Sequence, residues 1–162
     1  MSLPAASQRV VEAGAARGVT VDMREFPEGT KTSADAAAAI GCELSAIAKS
    51  IVFTLDDAEQ VVVFASGDTR IDPARLASAA GAGSARRASL DEAREATGFA
   101  AGGTPPFGYP APLRVFADAA LRRHELVWSA GGTPTTVFPI ALDDLVRAAD
   151  AAWVDVAEEP RR

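Results

Sequence analysis

The chain has 162 residues, 48% of them hydrophobic and 23% charged, which fits one globular domain burying roughly 70% of its unfolded surface and excludes a disordered chain. Its 16 basic and 22 acidic residues leave a net charge of −6, which excludes a broadly basic coat for nucleic acid or membrane but permits a local basic cleft. One cysteine (Cys42) excludes an internal disulfide and a cysteine-built zinc site; one histidine (His124) excludes a multi-histidine metal site and weighs against a Ser-His-Asp triad.

Residues 5–17 place Val10, Val11 and Ala13 at helical spacing, with Gly18 as the stop. Residues 19–26 alternate Val19, Val21 and Met23 with polar neighbours and predict a strand, broken at Pro27 and Gly29. Thr32 and Asp35 open a helix over 33–40 that Gly41 closes, and a second short helix is expected over 43–48. Two continuous apolar runs, 50–55 and 60–65, flank Asp56-Asp57-Ala58-Glu59 and predict a hairpin of central strands buried on both faces. Asp72-Pro73 opens a helix to Ala80, and Ser89-Leu90-Asp91-Glu92 is a capping box for a helix to Thr97. After a loop over 98–110, strands are expected at 113–117, 125–130 and 135–140, a helix at 142–149 and a last strand at 153–156, with a frayed charged tail after Glu158. The sum is an α/β (α+β) domain whose mixed, largely antiparallel sheet packs against helices. No basic-then-apolar leader and no apolar run of about 18 residues is found, so a cytoplasmic protein is expected.

Four segments stand out chemically. Lys49 is a cation at the head of an apolar strand, and with Lys31 it is one of only two lysines against 14 arginines (16 − 2). A charge there either faces a cleft, where it can hold a carbonyl, a ribose hydroxyl or a phosphate, or snorkels to water from an edge. The 98–110 loop holds four glycines and three prolines, which suits a pocket wall with main-chain N–H donors as well as a plain connection. Ala130-Gly131-Gly132-Thr133-Pro134 reads as a hairpin loop that could also line a pocket. In 67–72, Arg70 could meet phosphate or be held by Asp68 or Asp72. Other features read as structural: Gly81-Ala82-Gly83 lacks the third glycine of a dinucleotide loop, Cys42 has no base in sequence reach, and His124 falls in an expected solvated turn. Arg86-Arg87 and Arg122-Arg123 could be basic spots for a polynucleotide backbone, but read as exposed surface pairs.

Thr32, Gly41, the run Ile47-Ala48-Lys49-Ser50-Ile51-Val52-Phe53, Gly67-Asp68, Thr97-Gly98-Phe99, Gly102-Gly103-Thr104-Pro105-Pro106-Phe107-Gly108, Asp118 and Ala130-Gly131 together resemble the YbaK/EbsC family. These are aminoacyl-tRNA deacylases related to the editing insertion domain of bacterial prolyl-tRNA synthetase. The resemblance spans residues 5–156 and implies a compact domain with a barrel-like sheet surrounded by helices. It implies hydrolysis of the ester joining a wrong amino acid, such as Cys or Ala, to the 3′ end of tRNA(Pro). The family's essential lysine falls on Lys49, and the glycine whose backbone meets the ester falls on Gly103. Substrate contacts are implied for Thr32, Phe53, Gly102, Thr104, Pro106, Phe107, Gly108, Ala130 and Gly131. Pro105 departs from the family, which often has a small hydroxyl residue there, so a possible donor is missing and the amino-acid preference stays open. The implied partners are the aminoacyl-tRNA acceptor end and prolyl-tRNA synthetase, with neither membrane nor DNA, and no cofactor or metal.

An aminoacyl ester is already activated, so position and charge stabilisation suffice without a His, Cys or carboxylate base if a substrate hydroxyl takes part. Two other readings stand beside the hydrolase. One is a non-catalytic module that binds tRNA, a synthetase or a nucleotide. The other is an enzyme or binder for a different small ester or nucleotide.

Overall fold

The computed structural model describes residues 3–159. Its centre is the expected hairpin: β2 (Ala48–Leu55) and β3 (Glu59–Ser66) pair antiparallel from Ala48↔Ser66 to Leu55↔Glu59. Alternation explains the unbroken apolar runs. Ala48, Val52, Val62 and Phe64 face one core, and Phe53, Leu55, Val61, Val63 and Ala65 face a second. The turn carries Asp56 and Asp57 in left-handed conformation, and the Asp56 carboxylate accepts the Gly83 and Ser84 amides at 3.0 Å each.

Four helices begin on local signals. In α2 (Ser33–Ile40) the Thr32 hydroxyl accepts the Asp35 amide at 3.0 Å. In α3 (Pro73–Ala80) Asp72 accepts the Ala74 and Arg75 amides. In α4 (Leu90–Thr97) Ser89 and Glu92 exchange both capping-box bonds, and Arg86 together with the Ser89 amide holds the Glu92 carboxyl at about 2. At α5 (Leu142–Ala149) Asp143 and Asp144 occupy the first turn, where the helix dipole favours them. The first helix, α1 (Ala5–Ala16), has no side-chain cap and is held by packing: Val10 and Gly14 are buried.

The strands form two sheets. A five-stranded sheet has the order β4 (Ala85–Arg87), β2, β3, β5 (Val115–Asp118), β8 (Ala152–Val154), with β5 parallel to both its neighbours. A three-stranded antiparallel sheet has the order β1 (Arg24–Glu25), β7 (Thr136–Ala141), β6 (Leu126–Ala130). A single bridge, Ile47↔Trp128, joins them, so the sheets do not close into a barrel. Buried Asp118 ties the end of β5 to the chain beyond β8 by accepting the Ala120 and Val156 amides at 3.1 and 2.9 Å.

Several local expectations give way to tertiary packing. Of the strand expected over 19–26, only Arg24 and Glu25 pair with β7. Val19 and Val21 instead turn under α1, where the Val19 amide bonds the Gly14 carbonyl at 2.8 Å. The helix expected over 43–48 shrinks to a 3₁₀ turn at Leu44–Ala46, because β2 starts at Ala48 and takes the residues that follow. Strand β4 falls in a segment without strand alternation. The Glu158 amide bonds the Arg70 carbonyl at 2.7 Å, and Glu159, the first residue of the tail expected to fray, pairs with Arg75 at 2.8 Å. The remainder of that tail, 160–162, lies outside the described residues, as do Met1 and Ser2.

Glycine inside a helix ordinarily costs about 1 kcal/mol relative to alanine. At Gly14 an added Cβ would stand 2.5 Å from Val21 Cγ2 and 3.3 Å from the Val19 carbonyl. Overpacking of this kind costs about 1–3 kcal/mol, and a β-branched valine yields little. Gly14→Ala is therefore expected to lower the thermal midpoint, a net loss on the order of 1 kcal/mol. An increase in calorimetry would show that the α1–Val21 contact is loose.

Candidate functional site

Strand β4 pairs only with Phe53–Leu55, and one further bond joins the Ala88 amide to the Val52 carbonyl at 3.0 Å. The edge of β2 from Lys49 to Ile51 is thus left without a ladder partner on that side. Here opens a cavity of about 300 Å³, at the small end for ligand sites. One wall is the start of β2 and another is Trp128, Ser129 and Ala130 of β6. The first turn of α2 supplies Thr32, Ser33 and Ala36, and Gly102 and Thr104 come from the glycine–proline loop.

The electrostatics have one sign. Lys31, Lys49 and Arg87 line the cavity and no carboxylate does, although the chain carries six excess negative charges. Among the described residues none of the three has a carboxylate within 4.0 Å. Burial pushes the Lys49 ammonium below its usual range, and repulsion from Arg87 and Arg70 pushes the same way against a weaker pull from Asp68. The N-terminus of α2 adds partial positive charge. Such a hollow stabilises an anion or a developing oxyanion.

Nearby charges that look similar are already paired. Arg123 donates to Asp68 at 2.7 Å and holds that carboxyl well below the usual carboxylate range, and Ser66 adds a hydrogen bond at 2.8 Å. Asp72 caps α3, so neither acid holds Arg70, which lies close enough to repel Lys49.

The loop's geometry comes from its anchors. Phe99 and Phe107 are both in the core, Phe107 tilted against Phe138 with ring centres 6.1 Å apart. The Tyr109 hydroxyl donates to the Pro105 carbonyl at 2.7 Å, so Pro105 sits inside a closed turn. A Cβ at Gly103 would stand 2.7 Å from the N, Cα and C atoms of Thr133. The two glycine-rich loops therefore meet backbone to backbone at a point where only glycine fits. The Gly103 amide bonds the Ala100 carbonyl at 3.2 Å and the Gly131 amide bonds the Thr136 carbonyl at 2.8 Å. The amides of Gly102 and Thr104, both lining residues, have no partner among the described residues.

Of the sequence-derived candidates, the fold brings Lys49, Thr32, Gly102, Thr104 and Ala130 to this cavity. Gly103 does not itself line it, but sits between the lining residues Gly102 and Thr104 and packs on Thr133. Phe53 is buried in the second core, across from Val61, because it lies two registers past the open edge. Pro106 and Phe107 are buried, Gly108 packs on Ala13 of α1, and Gly131 packs on Met23. These four shape the loops and do not line the cavity. His124 is not in a solvated turn: it is half-buried and its Nε2 shares a 2.8 Å hydrogen bond with the Ser45 hydroxyl. Cys42 is half-buried against the cluster of Ala36 and Val137, and burial pushes its thiol up.

Lys31, Arg87, Trp128, Ser50 and Ser129 reach the cavity without having been singled out as site residues. Lys31 had a signal, since both lysines of an arginine-rich chain line one hollow. Its stem lies over Gly102, whose added Cβ would stand 2.7 Å from Lys31 Cγ. Arg87 had only its membership of the Arg86-Arg87 pair, because its place at the cavity depends on where β4 stops.

The pattern of the aminoacyl-tRNA editing domain matches residues 27–148, which contain the cavity wall to wall. Uncharacterized protein YwhH of Bacillus subtilis (strain 168) is 32% identical over 139 residues, 85% of this chain and 88% of that one. A segment of proline–tRNA ligase from Lysinibacillus sphaericus (strain C3-41) is 36% identical over 92 residues, 57% of this chain but only 16% of the ligase. A crystal structure of a proposed trans-editing enzyme for prolyl tRNA synthetase superposes with a TM-score of 0.90 at 35% identity, covering 98% of this chain and all of that one. The hypothetical protein APE2540 superposes with a TM-score of 0.85 at 30% identity, covering 93% and 99%. With the sequence pattern spanning most of the chain and the whole fold shared, this protein belongs to the aminoacyl-tRNA editing domain family.

Proposed function

We propose that the cavity receives the aminoacylated 3′ end of a tRNA and that the protein hydrolyses the ester there, acting in trans on tRNA(Pro) carrying a small wrong amino acid such as cysteine or alanine. The observation that carries this reading is the cavity's charge. Three cations without carboxylate partners among the described residues, and a helix N-terminus, surround a small hollow in an acidic chain. Family membership and the likeness to a proposed trans-editing enzyme support the same substrate class.

Water adds to the ester carbonyl, its second proton leaves, and the carbonyl oxygen becomes an oxyanion. Collapse breaks the bond to the ribose oxygen, which takes a proton, and free amino acid and uncharged tRNA depart. Lys49 neutralises the terminal phosphate or the oxyanion, and the unpartnered Gly102 and Thr104 amides donate to the same charge. Gly103 acts through position: its contact with Thr133 holds the loop at the cavity rim. Among the described residues no histidine or carboxylate lines the cavity, so proton transfer falls to water and to a ribose hydroxyl of the substrate. That same lack of a protein base favours a second reading, a module that binds the acceptor end without turnover.

Lys49→Met separates the two. Loss of one well-placed charge donor costs about 10²–10³ in rate, so deacylation of mischarged tRNA should fall by that factor. A binding module would show no turnover in the parent protein. The fold should not suffer. A lysine whose pKa is lowered by folding is destabilising while charged, fully so at neutral pH. The penalty vanishes as pH rises through the ordinary lysine value of about 10.4. Lys49→Met should melt at or above the parent temperature at pH 7, with the difference closing above pH 10. Wild-type turnover in this variant would remove Lys49 from the mechanism.

The salt dependence of the rate measures the contact. With Lys31, Lys49, Arg70 and Arg87 as the only cations gathered at the mouth among the described residues, a plot of log(kcat/KM) against log[salt] should slope no more steeply than about −3. A slope near −6 or beyond would require a much wider tRNA footprint.

A further inference from the structure

Buried hydroxyls in this protein nearly all have partners. Ser7 bonds Thr136 at 3.0 Å, Ser66 bonds the Ser45 carbonyl at 2.7 Å, and Thr97 bonds the Ala93 carbonyl at 2.8 Å. Among the described residues two buried side-chain oxygens have none, Ser50 Oγ and Ser129 Oγ. Both residues line the same cavity, from different sheets. Ser50 lies on the open edge of β2, and Ser129 on β6 follows the one bridge, Ile47↔Trp128, that joins the sheets. Ser129 is 1% exposed. An unsatisfied buried hydroxyl destabilises a fold relative to a methyl group of the same shape, so two such residues lining one cavity offer hydrogen bonds to a partner from outside the chain.

The chemistry of that partner follows from the surroundings. The cations Lys31, Lys49 and Arg87 serve negative charge, whereas a serine hydroxyl is neutral and both donates and accepts. The same lining has an apolar part, the packed residues Ala36, Ile47 and Val137. Both oxygens are covered, and a turn between the staggered χ1 wells is the movement by which either hydroxyl would reach a ligand. Resting on the reading of the cavity as an aminoacyl-ester site, we infer that Ser50 and Ser129 form a polar subsite for the amino-acid side chain. It selects esters whose small side chain carries a hydroxyl, serine foremost, over the apolar alanyl ester. A site built to hydrogen-bond a substrate hydroxyl rejects the analogue that lacks it, because its own polar groups are then left unpaired.

The test uses one tRNA(Pro) transcript charged in turn with serine and with alanine, and compares kcat/KM for the full-length protein, Ser50→Ala and Ser129→Ala. The parent should prefer the seryl ester by tenfold or more, and each variant should pull that ratio at least threefold toward one. Both variants lose only an unsatisfied oxygen and should melt at or above the parent temperature, which guards against misfolding as the cause. A parent ratio at or below one overturns the inference, as does a ratio that neither variant moves. Equal slowing of both esters overturns it too, since the hydroxyls would then serve the ribose that the two substrates share. Cleavage of neither ester by the parent is a different failure, that of the deacylase reading itself.

Discussion

A lysine ammonium held half out of water with no carboxylate beside it is the constraint on which the rest of this structure depends. Burial and two neighbouring arginines make its charge unfavourable. Such a group is comfortable only when a negative charge enters, and the walls around it are arranged for that event. Strand β4 stops short, so Lys49, paired with Ala65 of β3 on one side, has no ladder partner on the other. The first turn of α2 presents its positive end, and the acids nearest at hand are committed elsewhere: Asp68 to Arg123, Asp72 to the cap of α3. The acidic surface and the basic hollow are two parts of one arrangement, because the surplus carboxylates are kept away from the cavity.

The second requirement is mechanical. Main-chain donors are useful to a reacting ester only if they do not move, and here two loops of low intrinsic order are held rigid against each other. Phe99 and Phe107 pin the first loop into the core, Tyr109 closes its turn, and Gly103 lets the backbone of Thr133 approach to van der Waals contact. The N–H groups of Gly103 and Gly131 are consumed in building this junction, which leaves the flanking Gly102 and Thr104 amides as donors. Pro105 fits the same account: its missing N–H is no loss in a turn closed through its carbonyl.

Much of the architecture was legible because its signals are local. Asp72-Pro73 and Ser89-x-x-Glu92 start helices where the backbone amides need acceptors, and those bonds form within three residues. Apolar runs on either side of Asp56-Asp57 make a hairpin because the turn and both strands agree. The segment over 19–26 failed the same test. Its alternation is genuine, but Val19 and Val21 bury themselves under Gly14 of α1 and leave the sheet only Arg24 and Glu25. His124 was misread because nothing near it in the chain announces Ser45.

By itself the sequence determined the elements, the two-faced burial of the central hairpin, the lysine at its head and the glycines that could approach another backbone. Each of these depends on residues a few positions apart, where propensity and capping act. Tertiary structure alone decided that Lys31, Arg87, Trp128 and the two unsatisfied serines meet Lys49 at one cavity. It also decided that Phe53, three residues from Ser50, belongs to a different core. Those outcomes turn on strand register and on where one sheet stops, which are set by packing among segments far apart in the chain and leave no local trace.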